Sequence, residues 1–181
     1  MKQVAFINAF TIFAGFLIST AALAEKSTTP AATTSASGTV QSTSKSVFIE
    51  NIAPEALEAV KVVDAFSAAL KAADFDKVKQ LLDAKVLVLE SGGSERGRDE
   101  YMSQHALADA MFLRKAKSQL RYRQAHAEGS FAWVATETEL QSEENGKPLL
   151  LLSTETMLLK NSLQGWKILH IHWSSHPASM K

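Results

Sequence analysis

From position 56 onward the large apolar residues recur at Leu57, Val60, Val63, Phe66, Ala69 and Leu70. Steps of three and four place them on one stripe of an α-helix, and Pro54 suits its first turn, where a missing N–H costs nothing. Asp74 is positioned to cap a short second helix bearing Phe75, Val78, Leu81 and Leu82, since its carboxylate can accept from the free N–H groups of the first turn. Val86–Glu90 reads as a strand broken by Ser91-Gly92-Gly93-Ser94, and a third helix is predicted from about Asp99 to Leu113. Beyond it the period changes to two. Lys117–Glu128, Ser130–Ser142, Lys147–Lys160 and Trp166–Trp173 read as long strands, separated by Gly129, Glu144-Asn145-Gly146 and Asn161–Gly165. Short links between long strands make an antiparallel meander. The order helix, helix, strand, helix and four strands predicts an α+β domain, its helices packed in a strongly curved, mostly antiparallel sheet.

The start of the chain follows another pattern. Lys2 precedes an apolar run from Val4 to Ile18, and Ala22-Leu23-Ala24 has the small-x-small form of a cleavage site. The run is shorter than the roughly 20 residues that cross a bilayer. Residues 1–24 are therefore expected to be an export signal cleaved near Ala24, leaving a periplasmic or secreted protein with no membrane segment. Residues 25–46 are rich in Ser, Thr and Ala, with Pro30 and Gly38. They lack the apolar surface that would offset ordering and read as a flexible linker. The folded domain is expected over 47–176, with a tail at 177–181.

Charge and cysteine content narrow the chemistry. The chain has 19 basic and 19 acidic residues, and removal of Lys2 with the leader leaves 18 against 19. A near-neutral chain without a basic stripe offers no footprint for nucleic acid. No cysteine is present, which excludes disulfides, thiol catalysis and iron–sulfur clusters. Ser174 and Ser175 lack the strand–turn–helix setting of a nucleophilic serine.

Two segments carry candidate chemistry. On the third helix, Tyr101, Met102, His105, Asp109, Phe112 and Leu113 fall on one arc, with His105 and Asp109 at i and i+4. A charge on an apolar arc is costly unless it is paired, coordinated or opened to a pocket. On the last strand, strict alternation puts Trp166, Ile168, His170 and His172 on one face and Leu169, Ile171 and Trp173 on the other. Three imidazoles and a carboxylate suit a divalent transition metal such as zinc, copper, iron or manganese. They equally suit a polar ligand pocket, or a site in which Asp109 orients His105 as a general acid or base. His126, on the strand face of Tyr122 and Gln124, and Glu137 and Glu139, beside Trp133, read as solvated, with Arg121 and Arg123 able to face the glutamates.

Three short motifs resemble the nuclear transport factor 2-like superfamily, in particular its SnoaL-like branch. They are Ala73-Asp74-Phe75-Asp76 with Leu81-Leu82, Gly97-Arg98-Asp99-Glu100-Tyr101, and Gly165-Trp166-Lys167-Ile168 followed by His170-Ile171-His172-Trp173-Ser174-Ser175. The resemblance spans roughly residues 53–176. It implies a cystatin-like cone with a pocket at its wide end, and frequent homodimers through the sheet. The superfamily's activities range from isomerases, dehydratases and cyclases to binding modules without a reaction. The tyrosine and paired acids of ketosteroid isomerases find no matching positions here.

The expectation is thus an exported small-molecule-binding domain, homodimeric, with a pocket lined by Tyr101, His105, Asp109, Trp166, His170 and His172. Three alternatives stay open: an enzyme using His105 and Asp109, a metal protein using His105, Asp109, His170 and His172, and a dimeric interaction module with a filled pocket.

Overall fold

The computed structural model describes residues 48–178. The expected leader and linker, with residues 47 and 179–181, lie outside the described residues. The elements run β1 (Ile49–Ile52), a 3-10 turn (Pro54–Ala56), α1 (Leu57–Ala72), α2 (Phe75–Leu81), β2 (Leu82–Glu90) and β3 (Gly93–Glu95). They continue with α3 (Arg98–Gln104), α4 (Ala106–Lys115), β4 (Lys117–Glu128), β5 (Phe131–Glu144), β6 (Lys147–Ser162) and β7 (Gly165–Pro177).

The periodicity finds most of these elements. α1 buries Val60, Val63, Phe66, Ala69 and Leu70, the predicted stripe, and leaves only Leu57 largely outside. Pro54 opens the 3-10 turn ahead of it, and the Asp74 carboxylate accepts from Lys77 N at 3.1 Å. One helix was expected over 99–113. Two are formed, α3 and α4, with His105 at the break. The short strands β1 and β3 are too brief to show a period. The expected tail begins too early, since β7 continues through His176 and Pro177, opposite Leu152 and Leu151.

The seven strands form one sheet in the order β1-β4-β5-β6-β7-β2-β3. The four long strands are the expected antiparallel meander, while β1 joins β4 and β2 joins β7 in parallel. This is the cystatin-like α+β fold, with the helices on the concave face of the sheet.

Because strands are in register, the concave face can be followed level by level. Ala127, Ala132, Leu159 and Ile168 form one row, with Leu82 opposite Ile168. Ala125, Val134, Met157, Ile171 and Val88 form the next. All are buried and, with the α1 stripe, make up the core. The third row changes character. Arg123, Thr136, Glu155, Trp173 and Glu90 lie opposite one another across five strands. Thr138, Ser153 and Ser175 follow it, then Leu140 and Leu151, two buried leucines outside the main core cluster. The apolar core therefore ends at a polar floor.

Candidate functional site

Two β-bulges decide which side chains reach that floor. In β7, Leu158 pairs His170 but Leu159 pairs Ile168, so Leu169 is an extra residue. A bulge of one residue breaks alternation, and every side chain beyond it changes face. Trp166 and Ile168 keep the predicted concave orientation. Past Leu169 the concave positions belong to Ile171 and Trp173, and His170 and His172 pass to the convex face. Ile171 is fully buried, whereas His172 is exposed and His170 half-buried. The His170 Nδ1–H donates to Leu87 O at 2.8 Å, and the two imidazoles lie 6.4 Å apart. In β4, Arg121 is the extra residue. It stays outside, 3.7 Å from Glu139 as expected, whereas Arg123 turns inward and meets Asp64 of α1 at 2.9 Å.

The predicted convergence of His105 and Asp109 with His170 and His172 is therefore corrected: the bulge separates the two sets by the thickness of the sheet. Among the described residues no group of three or more His, Asp or Glu side chains is arranged to hold a metal ion. The donor set proposed for a divalent metal does not fit one. Trp166 faces the core but lies seven residues along β7 from Trp173, roughly 20 Å at ordinary strand rise, and so stands away from the polar floor.

His105, Asp109 and Tyr101 do come together, though in different pairs from those expected. The break between α3 and α4 turns His105 toward β3, where its Nδ1 meets the Glu95 carboxylate. Asp109 instead accepts a hydrogen bond of 2.9 Å from the Tyr101 hydroxyl. Tyr101 is wholly buried, and its ring packs 6.4 Å from that of Trp173, which in turn stacks on Phe66 at 6.3 Å. The Trp173 Nε1–H donates to the Glu155 carboxylate.

The electrostatics follow from this crowding of acids. Burial first, and the neighbouring Asp109 charge second, push the Glu90 carboxyl up to about 7, with His105 opposing. Burial likewise lifts Asp109 to about 6, against the lowering effects of the Tyr101 hydrogen bond and His105. Burial, then the Asp109 charge, drives the Tyr101 phenol far above its usual range, so it is a permanent donor. Burial also raises Glu155 despite the Trp173 hydrogen bond and Arg123. Two carboxyls that change charge near neutrality are the ordinary equipment of a site that exchanges protons.

Glu90 and Glu95 escape the sequence reading, although one signal was present. Glu90 shares the face of Val86 and Val88, and Val88 pairs Glu95 across the hairpin. Both acids thus extend an apolar face, the same signature that singled out His105 and Asp109.

Comparison with known proteins places this architecture. Residues 60–179 match the SnoaL-like domain, and the chain belongs to that family. The broader class is that of NTF2-like α+β domains. A ketosteroid isomerase candidate from Shewanella frigidimarina is 35% identical, with a TM-score of 0.62, over 65% of this chain and 94% of that one. The CaMKII hub of S. rosetta is 22% identical, with a TM-score of 0.60, over 68% and 98% of the two chains. A candidate NTF2-like dehydratase from Streptomyces avermitilis is 17% identical, with a TM-score of 0.53, over 70% and 97%. The last two share the fold. No curated protein matches the sequence.

Proposed function

We propose that the concave end of the domain binds a small molecule and exchanges protons with it through Asp109 and Glu90. One observation carries this reading: the partly buried Asp109 and Glu90 carboxyls lie close enough to feel each other's charge, Asp109 is held by the buried Tyr101 hydroxyl, and burial lifts the two to about 6 and about 7. At pH 7 each can both give and accept a proton, which favours an isomerase- or dehydratase-type reaction over passive storage. His105, held by Glu95, supplies the one imidazole in the cluster. The relation to an isomerase candidate agrees with this chemistry.

The test is a thermal-shift screen of a small-molecule library on the wild type, Asp109→Asn, Tyr101→Phe and His172→Ala. Compounds that stabilise the wild type should lose their effect in the first two variants and keep it in the third. Stabilisation indifferent to Asp109→Asn, or abolished by His172→Ala, would overturn the reading. Where turnover is found, Asp109→Asn should lower it about 10²- to 10⁴-fold, the usual share of a general acid or base.

Two further parts of the proposal concern place and assembly. Residues 1–24 act as an export signal, checked by the N-terminal sequence of protein recovered outside the cytoplasm. The convex face mediates homodimerisation, since Leu152, Leu158 and Phe131 are exposed there beside an open groove containing Trp133 and His126. Structures named as CaMKII hub and association domains share this fold. Sedimentation analysis of Leu158→Glu should give a monomer where the wild type gives a dimer.

A further inference from the structure

The polar floor holds two donors that nothing in the domain satisfies. Arg123 Nε and Thr136 Oγ1 are both buried without a hydrogen-bond partner. Their residues are directly opposite in register, and each is more than nine-tenths buried, at 9% and 7% exposure. Cross-strand neighbours of this kind hold their Cβ atoms about 5 Å apart, close enough for both donors to reach a single oxygen. A buried donor left without a partner costs about 1–3 kcal/mol, so a pair at the boundary between core and site marks a place built for an acceptor.

The surroundings define which acceptor. The Arg123 charge is already answered by Asp64 at 2.9 Å and Glu50 at 4.0 Å. Glu155 lies next in the row, and Glu90 closes it at the far end. A ligand carboxylate would enter beside Asp64, Glu50 and Glu155, and the Arg123 cation is already paired. An uncharged oxygen brings no like charge to these acids, and it accepts from both donors.

Resting on the reading of the rim acids as a small-molecule site, we propose that Arg123 and Thr136 form its recognition end, selecting an uncharged carbonyl oxygen of a ketone, ester or amide and rejecting carboxylates. The ligand then lies along Trp173, its carbonyl at the floor and its further carbons toward Glu90 and Asp109.

The experiment compares three probes of one frame, cyclohexanone, cyclohexanecarboxylate and cyclohexylamine, titrated calorimetrically into the full-length protein. Cyclohexanone should bind at least about tenfold more tightly than either charged probe. Thr136→Val, which removes the donor and keeps the shape, should weaken it about tenfold, the equivalent of one hydrogen bond. Thr136→Ser should restore it. The melting temperature of Thr136→Val, not lower than that of the wild type, certifies its fold, because no intramolecular bond is lost. Preference for the carboxylate or the amine, or cyclohexanone binding indifferent to Thr136→Val, overturns the proposal. If Thr136→Val is silent while Asp109→Asn weakens binding, the floor assignment fails and the rim reading stands. The reverse pattern sinks the rim and keeps the floor. Failure of all three probes overturns the carbonyl assignment.

Discussion

The two faces of β7 differ in what one strand is asked to do. On the concave side, Ile171 closes the core against Val88 and Met157, and Trp173 joins α1, Tyr101 and Glu155. On the convex side, His170 and His172 sit between Leu158, Thr156, Leu87 and Leu89 with much of their surface open. The histidines are the more conspicuous residues and the tryptophan has the more consequential position. The polar groups gathered beneath the helices are Tyr101, Asp109, Trp173 and Glu155, and the imidazole pair is not among them.

The contrast can be broken by substitution, beginning with the largest effect. Ile171→Ala leaves a cavity in the sheet–helix core and should cost about 2–5 kcal/mol, read by urea unfolding. His172→Ala, one residue away, should stay within about 0.5 kcal/mol as an exposed surface change. Equal costs would mean that β7 does not carry the bulge. Trp173→Phe keeps most of the ring and strands the Glu155 carboxyl, a loss of about 1–3 kcal/mol. Urea unfolding of this variant against the wild type measures it.

The rim acids make stability depend on pH in an unusual sense. Unfolded Asp and Glu titrate near pH 4, whereas Asp109 and Glu90 are raised to about 6 and about 7 in the folded chain. The folded state therefore binds more protons between about pH 4 and 7. The contribution of these groups is fully present below that window and is lost as pH rises through it. Asp109→Asn and Glu90→Gln cannot ionise, so each should flatten the decline and stabilise the protein at pH 8 by on the order of 1–2 kcal/mol. Unfolding curves at pH 4 and pH 8 measure it. The smallest effect belongs to the convex face, where Glu139→Gln removes the partly exposed pair with Arg121 and should cost no more than about 1 kcal/mol.

Most of the fold was legible because it rests on long periodic segments. The α1 stripe, the Asp74 cap and the four-strand meander follow from spacing and turn composition alone, and the three family motifs agree with them. The site was legible only in part. Tyr101, His105 and Asp109 announce themselves as polar groups on an apolar arc, but their partners depend on a helix break at His105 that the continuous pattern of 99–113 does not reveal. Arg123 and the pair His170 and His172 were misplaced for a common reason. Alternation propagates until a residue is added, and neither Arg121 nor Leu169 has the glycine signature of a bulge. Glu155 and Thr136 look like solvated strand residues until their neighbours are known.

The central claim is that the acids of the concave rim, Asp109 and Glu90, change charge near neutrality. Carboxyl carbon titration by NMR tests it most directly, with Asp109 and Glu90 assigned by Asp109→Asn and Glu90→Gln. Midpoints near pH 6 and pH 7, with Tyr101→Phe raising the Asp109 midpoint further, are the predicted result. Both carboxyls titrating near pH 4, the range of an open solvated acid, would contradict the account.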